Sequence, residues 1–438
     1  MLQKFARYAS LNVLSMIAMS CYFLADTFFI SKACGPDGLA ALNLALPAFN
    51  FMNGLGMMLG MGGATKYAVY KAGRNDHEAN RAFSQTIWSA LAVGGLFMII
   101  SLLWSAPLTR LMGANAQVYD MTHTYLKVIL LFSPAFALND VMTAMVRNDG
   151  APRLASFAVI AGSLANILGD YILIFPCHMG ILGAVLATCS SPLISLLIML
   201  SYVVRKKNGF HFTAGYSWHL TGSICGIGFP SFVSEFASGL VMYVFNYLIL
   251  RLTGNIGVAA YGIIANISYV AVYLVTGVAQ GMQPLVSESY GQGNEKAMRI
   301  YLRYALVSMA GISVAIYLLL LFCADPVAAV FNSQHNAEMQ ALAVMGLKLY
   351  FIGIPFAGFN IVMAMYFTSS ERAVPGQVIQ LARAVFVIIP VAFLMAHVMG
   401  MNGVWLTFPV AEAIVAVISL GLAAGARRKD RKSGKERG

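Results

Sequence analysis

Apolar residues run through this chain in long, charge-poor stretches separated by short polar or basic segments. Such stretches lie near positions 8–31, 38–66, 82–107, 121–146, 153–176 and 180–204, and again near 219–250, 256–287, 300–323, 340–370, 374–398 and 402–425. Each holds about 20 residues or more, the length a helix rising 1.5 Å per residue needs to cross roughly 30 Å of hydrocarbon. None shows the alternating polarity of barrel strands. The pattern predicts an all-α integral membrane protein with twelve transmembrane helices, the longest of them tilted or reaching past the bilayer.

The two sets of six stretches resemble each other. Gly35-Pro-Asp-Gly-Leu-Ala-Ala41 matches Gly254-Asn-Ile-Gly-Val-Ala-Ala260 at an offset of 219, which also pairs Gly62 with Gly281 and Asn75 with Asn294. Lys127, Pro134 and Asn139 pair with Lys348, Pro355 and Asn360 at 221, and Gly180 and Gly183 with Gly400 and Gly403 at 220. A nearly constant offset in three separate regions predicts a duplicated six-helix unit. Two copies of like topology are related by a pseudo-two-fold axis along the membrane normal, with a cleft between them. The expected organisation is an N-terminal lobe over 1–207, a linker over 208–220, a C-terminal lobe over 221–425 and a basic tail over 426–438.

Composition agrees: 59% of the 438 residues are hydrophobic and 10% charged, against about a quarter charged in soluble domains. The net charge of +11 does not point to nucleic acid, because the basic residues fall mainly in the short connections and the tail. Assigned to alternate sides, 23 of the 28 Lys and Arg, with Arg383 counted among them, gather on the side of both termini. By the positive-inside rule both termini are expected in the cytoplasm. The first stretch carries Lys4 and Arg7 ahead of it but is too long for a cleaved signal and encloses Asp26, so it is expected to be a retained span. The six cysteines form no metal-binding spacing. Cys34 and Cys177 fall near the same predicted face, which leaves a disulfide open, and the others read as packing residues.

Few ionisable groups interrupt the spans. Asp26 is the only charge in the first; a lipid-facing carboxylate would cost at least about 2.5–3.5 kcal/mol, so it must face protein or water. Asn166 and Asp170 stand four residues apart on one face of the fifth span, and Thr188 follows in the sixth. A carboxylate, an amide oxygen and a hydroxyl can cage sodium, while a second acid near Asp26 could share a proton with it. Glu235 is the only charge in the seventh span and reads as a second coupling site or as a contact for cationic cargo. Gln283, Asn139 and Asn360 are further polar candidates for that role. Glu412 and Asp140 read first as buried polar anchors.

The chain resembles the multidrug and toxic compound extrusion (MATE) transporters, of the MepA-like or DinF-like branch. The resemblance rests on Tyr22-Phe-Leu-Ala-Asp-Thr-Phe-Phe29, the element at Gly35, Arg147-Asn-Asp-Gly-Ala-Pro152, Asn166-x-x-x-Asp170, and Gly281-Met-Gln-Pro284 running on to Gly291-Gln-Gly-Asn294, in that order over the whole chain. It implies two bundles around a V-shaped cavity and export of drug-like compounds against protons or sodium. It also implies that Asp26, Asn166, Asp170 and Thr188 line the cation pocket of the first lobe.

The expected function is therefore secondary active multidrug export by alternating access, in a bacterial cytoplasmic membrane. Its partners would be small organic, often cationic and amphipathic, substrates and membrane lipid, with no nucleic acid and a monomeric chain; no cofactor beyond the coupling ion, H+ or Na+, is expected. A flippase for lipid-linked sugars is the nearer rival, but its pyrophosphate cargo calls for arginines in the cavity. A membrane-embedded enzyme is a further rival, and no HExxH, nucleophile elbow or Walker A pattern supports it.

Overall fold

The computed structural model describes residues 1–331 and 336–435, with the side chains of Pro36, Asn255 and 426–435 left aside; the side chains of the expected basic tail therefore lie outside the described residues. The spans are α1 (Leu2–Gly35), α2 (Asp37–Ala72), α3 (Asp76–Leu111), α4 (Tyr119–Leu131 and Ser133–Asn148), α5 (Pro152–Ile174), α6 (Gly180–Val204), α7 (Trp218–Gly254), α8 (Ile256–Gly291), α9 (Glu295–Phe331) and α10 (Ala337–Ser369). The stretch Ala373–Gly425 is 53 residues of candidate span, far longer than one bilayer crossing. It breaks at Gly400 (φ 58°, ψ −133°), giving α11 (373–400) and α12 (401–435). Among the described residues the result is the expected all-α membrane protein, with twelve spans in two six-helix bundles once Ala373–Gly425 is divided at Gly400.

The repeat is written in the backbone. Gly35 between α1 and α2 has φ 64° and ψ −156°, and Gly254 between α7 and α8 has φ 66° and ψ −154°. This region is essentially closed to residues with a Cβ, and the same glycine turns the chain in both lobes. Asn75 accepts a hydrogen bond from the Glu78 backbone N–H and Asn294 one from Ala297, so this matched pair caps α3 and α9. Pro134 stands in the first turn of the second segment of α4, bent by 50° from the first. Pro355 takes the matching place in α10, just after a 3-10 turn at Phe351–Gly353.

The lobes meet along two seams. A Cβ on Gly281 would lie 2.6 Å from Ala9 Cα, and one on Gly62 would collide with Ile224 O. α1 therefore lies directly against α8, and α2 against α7, through glycines paired by the repeat. Polar contacts bolt the same region. Arg147 Nη1 donates to Gln280 Oε1 (2.9 Å), Asn148 Nδ2 to Gln283 Oε1 (2.8 Å) and Gln283 Nε2 to Thr65 Oγ1 (3.1 Å). Lys4 pairs with Glu288 at 2.6 Å and Lys66 with Glu371 at 3.1 Å. All lie toward the end that carries most of the basic residues, called the basic end below.

The turn after α4 holds the linker. Asp149 accepts from Gly209 N (2.7 Å), Tyr202 OH (3.0 Å) and Lys71 Nζ (3.2 Å), and Lys71 also donates to Gly209 O (2.9 Å). Phe210 is buried and stacks on Phe83 with centroids 4.3 Å apart. All six cysteines are free, so Cys34 and Cys177 form no disulfide.

Candidate functional site

In the N-terminal lobe the helices bring together the residues expected there. Asp26 is 7% exposed, Asn166 and Asp170 are fully buried, and Thr188 is nearly so. Asn166 Nδ2 lies 3.4 Å from Thr188 Oγ1, which donates to Ala184 O at 3.1 Å. The Asp26 and Asp170 carboxylates are near enough to act on each other electrostatically, and Tyr125 of α4 feels both. All five side chains sit in the halves of their helices away from the basic end.

Four acceptor oxygens of the cluster are left without a donor. Asp26 Oδ1, Asn166 Oδ1, Asp170 Oδ1 and Asp170 Oδ2 are buried with no hydrogen-bond partner. Buried acceptors left unpaired cost free energy, and charged ones cost most. Two adjacent carboxylates without a donor are stable once a proton or a cation sits between them. Among the described residues no three His, Cys, Asp or Glu side chains gather to hold a metal ion; the groups assembled here are carboxylate, amide and hydroxyl oxygens.

The C-terminal lobe holds a cavity of about 280 Å³, lined by Glu235, Tyr269, Tyr273, Met365, Arg383 and Glu412 among others. Glu235 stands at the lobe boundary, its Cβ 3.3 Å from where a Cβ on Gly54 would be, and acts electrostatically on Tyr269 and Tyr273. Arg383 lies in a π-helical turn at Ala382–Phe386. It grips Glu412 through Nε–Oε1 (2.9 Å), Nε–Oε2 (3.0 Å) and Nη2–Oε1 (2.7 Å). Counting Arg383 among the charges of the basic side therefore overlooked its place inside the 374–398 stretch: it is a span residue held in the membrane by a carboxylate 29 positions away on another helix. Arg147, taken for a loop residue, is 4% exposed and buried between the lobes.

The other polar candidates have different surroundings. Asn360 donates to Glu412 Oε2 (2.7 Å) and accepts from Ser419 Oγ (3.0 Å), and Gln283 belongs to the inter-lobe bolt. Asn139 Oδ1 is buried without a partner, as is Oδ2 of the neighbouring Asp140. Asp140 packs against Gly56 and acts electrostatically with Glu235. None of Asn139, Gln283 and Asn360 lines the C-terminal cavity.

A family model for MatE matches residues 12–172 and again 230–394. The chain belongs to the MatE family. Relatives include the multidrug export protein MepA of Staphylococcus saprophyticus, 24% identical over 403 residues, covering 91% of this chain and 88% of that protein. MepA of Staphylococcus aureus strain MRSA252 is 25% identical over the same coverage. Among solved structures, the outward-facing conformation of a multidrug resistance MATE family transporter superposes with a TM-score of 0.92 at 23% identity, over 98% of this chain and 96% of that one. A MOP superfamily transporter from Pyrococcus furiosus, described as having a binding pocket of reverse polarity, gives 0.89 at 22% identity, over 95% and 93%. The fold is thus the MatE fold, and the family model finds the duplication by matching each half separately.

Within this MatE chain, sequence reasoning missed Tyr125, whose neutral hydroxyl no search for charges selects. It also missed Arg383 as a cavity residue. Its signal was present: Arg383 stands between Ala382 and Ala384-Val-Phe-Val-Ile-Ile389 in an apolar run, where a basic side chain needs a partner.

Proposed function

We propose that this chain exports drug-like organic cations across a bacterial cytoplasmic membrane, in exchange for H+ or Na+ taken up at the Asp26–Asn166–Asp170–Thr188 cluster. The observation carrying this is the set of buried, unpartnered acceptor oxygens in the half of the first lobe away from the basic end. With the basic end in the cytoplasm, as the positive-inside rule places it, the lobes are closed on the inside and the cluster lies in the outer half. An ion entering from outside is shared by Asp26 and Asp170 and offsets one of their two negative charges, which lets α1 repack and displaces the cargo, and the lobes then rock about their seams.

The C-terminal cavity supports a cationic cargo. Arg383 and Glu412 neutralise each other, so Glu235 leaves the lining with net negative charge. Tyrosine faces and methionine thioethers supply cation–π contact and an adaptable apolar wall. A pyrophosphate-bearing cargo would find its one cavity arginine already engaged.

The test is transport of a fluorescent cationic dye by the purified chain in proteoliposomes, with proton and sodium gradients imposed separately. Either gradient should drive efflux in the parent, and Asp26→Asn should reduce it to background while the protein still folds. Full coupled efflux by that variant would overturn the assignment.

A further inference from the structure

At the basic end a second cavity, about 950 Å³, opens between the lobes. One wall comes from α1, α2 and the start of α5, the other from Pro284, Glu288 and Gln292 of α8. Its basic side chains are Lys4, Arg7, Lys71, Arg74 and Arg153, against two acids, Asp149 and Glu288. Both acids are already engaged: Glu288 pairs with Lys4 and Asp149 with Lys71. Arg7, Arg74 and Arg153 are left exposed without an ion pair among the described residues. Three uncommitted guanidinium groups around one cavity form a fork-shaped donor set suited to phosphate oxygens.

Two features separate this from the general excess of positive charge at that end. The first is symmetry. At the repeat offset of 219, Lys4, Arg7, Lys71 and Arg74 correspond to Ser223, Gly226, Tyr290 and Gly293, so the second lobe repeats the fold there without the charge. The second is strain. Arg74 has φ 61°, a conformation costing roughly 1–2 kcal/mol for a residue with a Cβ. Its counterpart Gly293 has φ 67° and bears no such cost. The first lobe thus keeps an arginine at the lip of the cavity where the same turn in the second lobe uses glycine. His178, Lys206 and Glu371 take the same conformation at other turns, so the strain marks a helix end; what sets Arg74 apart is that its side chain stands at the lip of this cavity.

We infer that this cavity binds a phosphate group, either the headgroup of an anionic phospholipid or a soluble organic phosphate. Because its walls belong to both lobes, a ligand held here binds the state closed at the basic end more tightly than the open one. It therefore biases the transport cycle toward the closed state. The site is separate from both the acidic cluster and the C-terminal cavity.

The experiment uses the full chain in nanodiscs and follows thermal unfolding. One arm titrates inorganic pyrophosphate into phosphatidylcholine discs; the other compares phosphatidylcholine discs with discs containing phosphatidylglycerol. Stabilisation by pyrophosphate in neutral lipid assigns a soluble phosphate, and stabilisation only with phosphatidylglycerol assigns a lipid headgroup. No stabilisation in either arm overturns the inference. The deciding variant is Arg74→Gly, which relieves the backbone and so leaves folding intact or improved. It should weaken the ligand's apparent affinity about tenfold or more, and Arg7→Gln combined with Arg153→Gln should abolish the response. Parental affinity in Arg74→Gly would overturn the inference equally.

Discussion

The two lobes share a backbone and treat buried charge in opposite ways. In the first, α5 presents Asn166 and Asp170 to Asp26, and four acceptor oxygens stay unpartnered. Aligning Pro152 with Pro375 sets Asp170 against Phe393, which is exposed. The second lobe places its acid on α12 instead, where Glu412 receives three contacts from Arg383 and one from Asn360. A satisfied pair is a fixed strut; an unsatisfied pair of acids changes state when an ion arrives. The duplication therefore supplied one scaffold, and the second lobe's α12 acid became structural where the first lobe's acids stayed free to switch; Glu235 on α7 stands outside that strut and faces the cavity.

The same operation in both lobes should break this symmetry most sharply. Asp170→Asn removes a carboxylate that has no donor, so thermal stability should be unchanged or raised while ion-coupled dye efflux falls to background. Glu412→Gln leaves Arg383 as a buried cation without its counter-charge, and removing one partner of a buried pair costs about 3–5 kcal/mol. Unfolding curves in detergent, read beside proteoliposome efflux, should show one variant that is stable and inactive and another that is destabilised. If Asp170→Asn proved the less stable of the two, the contrast between lobes would fail.

Sequence alone reached the spans, the repeat and the first-lobe cluster because each leaves a local trace. Twenty apolar residues, a repeated glycine or a carboxylate in an apolar run is visible in one dimension. What stayed hidden depends on pairing across helices. Arg383 lies within the predicted 374–398 span, yet it was counted with the basic side, because charge counting assigns sides without knowing which charges meet inside the membrane. Arg147 and Asn148 were part of the family signature, yet only the packing of α4 against α8 shows that they fasten the lobes through Gln280 and Gln283. Tyr125 joins the cluster from α4, and no spacing rule ties it to α1 or α5.

Where the lobes agree, a substitution should cost the same in both. Gly254→Ala and Gly35→Ala each place a Cβ in open space, with no atom within 4 Å, so the penalty is backbone strain alone, about 1–3 kcal/mol. Similar losses in melting temperature would support a shared turn. A loss at only one of the two would mean that the other turn relaxes by a different route.

The smallest effect concerns the bolt that holds the basic ends together. Lys66 and Glu371 lie 3.1 Å apart with side chains 12% and 19% exposed. Such a partly screened pair contributes under about 1 kcal/mol, which is at most about a fivefold change in an equilibrium constant. Stability of the whole chain will barely register this; the balance between lobes closed and open at the basic end will. With spin labels on Lys207→Cys and Lys296→Cys, in a background without native cysteines, Lys66→Met should enlarge the long-distance population by up to about fivefold. Reversing both charges, Lys66→Glu with Glu371→Lys, should return it toward the parent. An unchanged distribution in Lys66→Met would show that the glycine seams and the Arg147 and Asn148 contacts close the basic end without help from this ion pair, leaving Lys66 as a bystander at the seam.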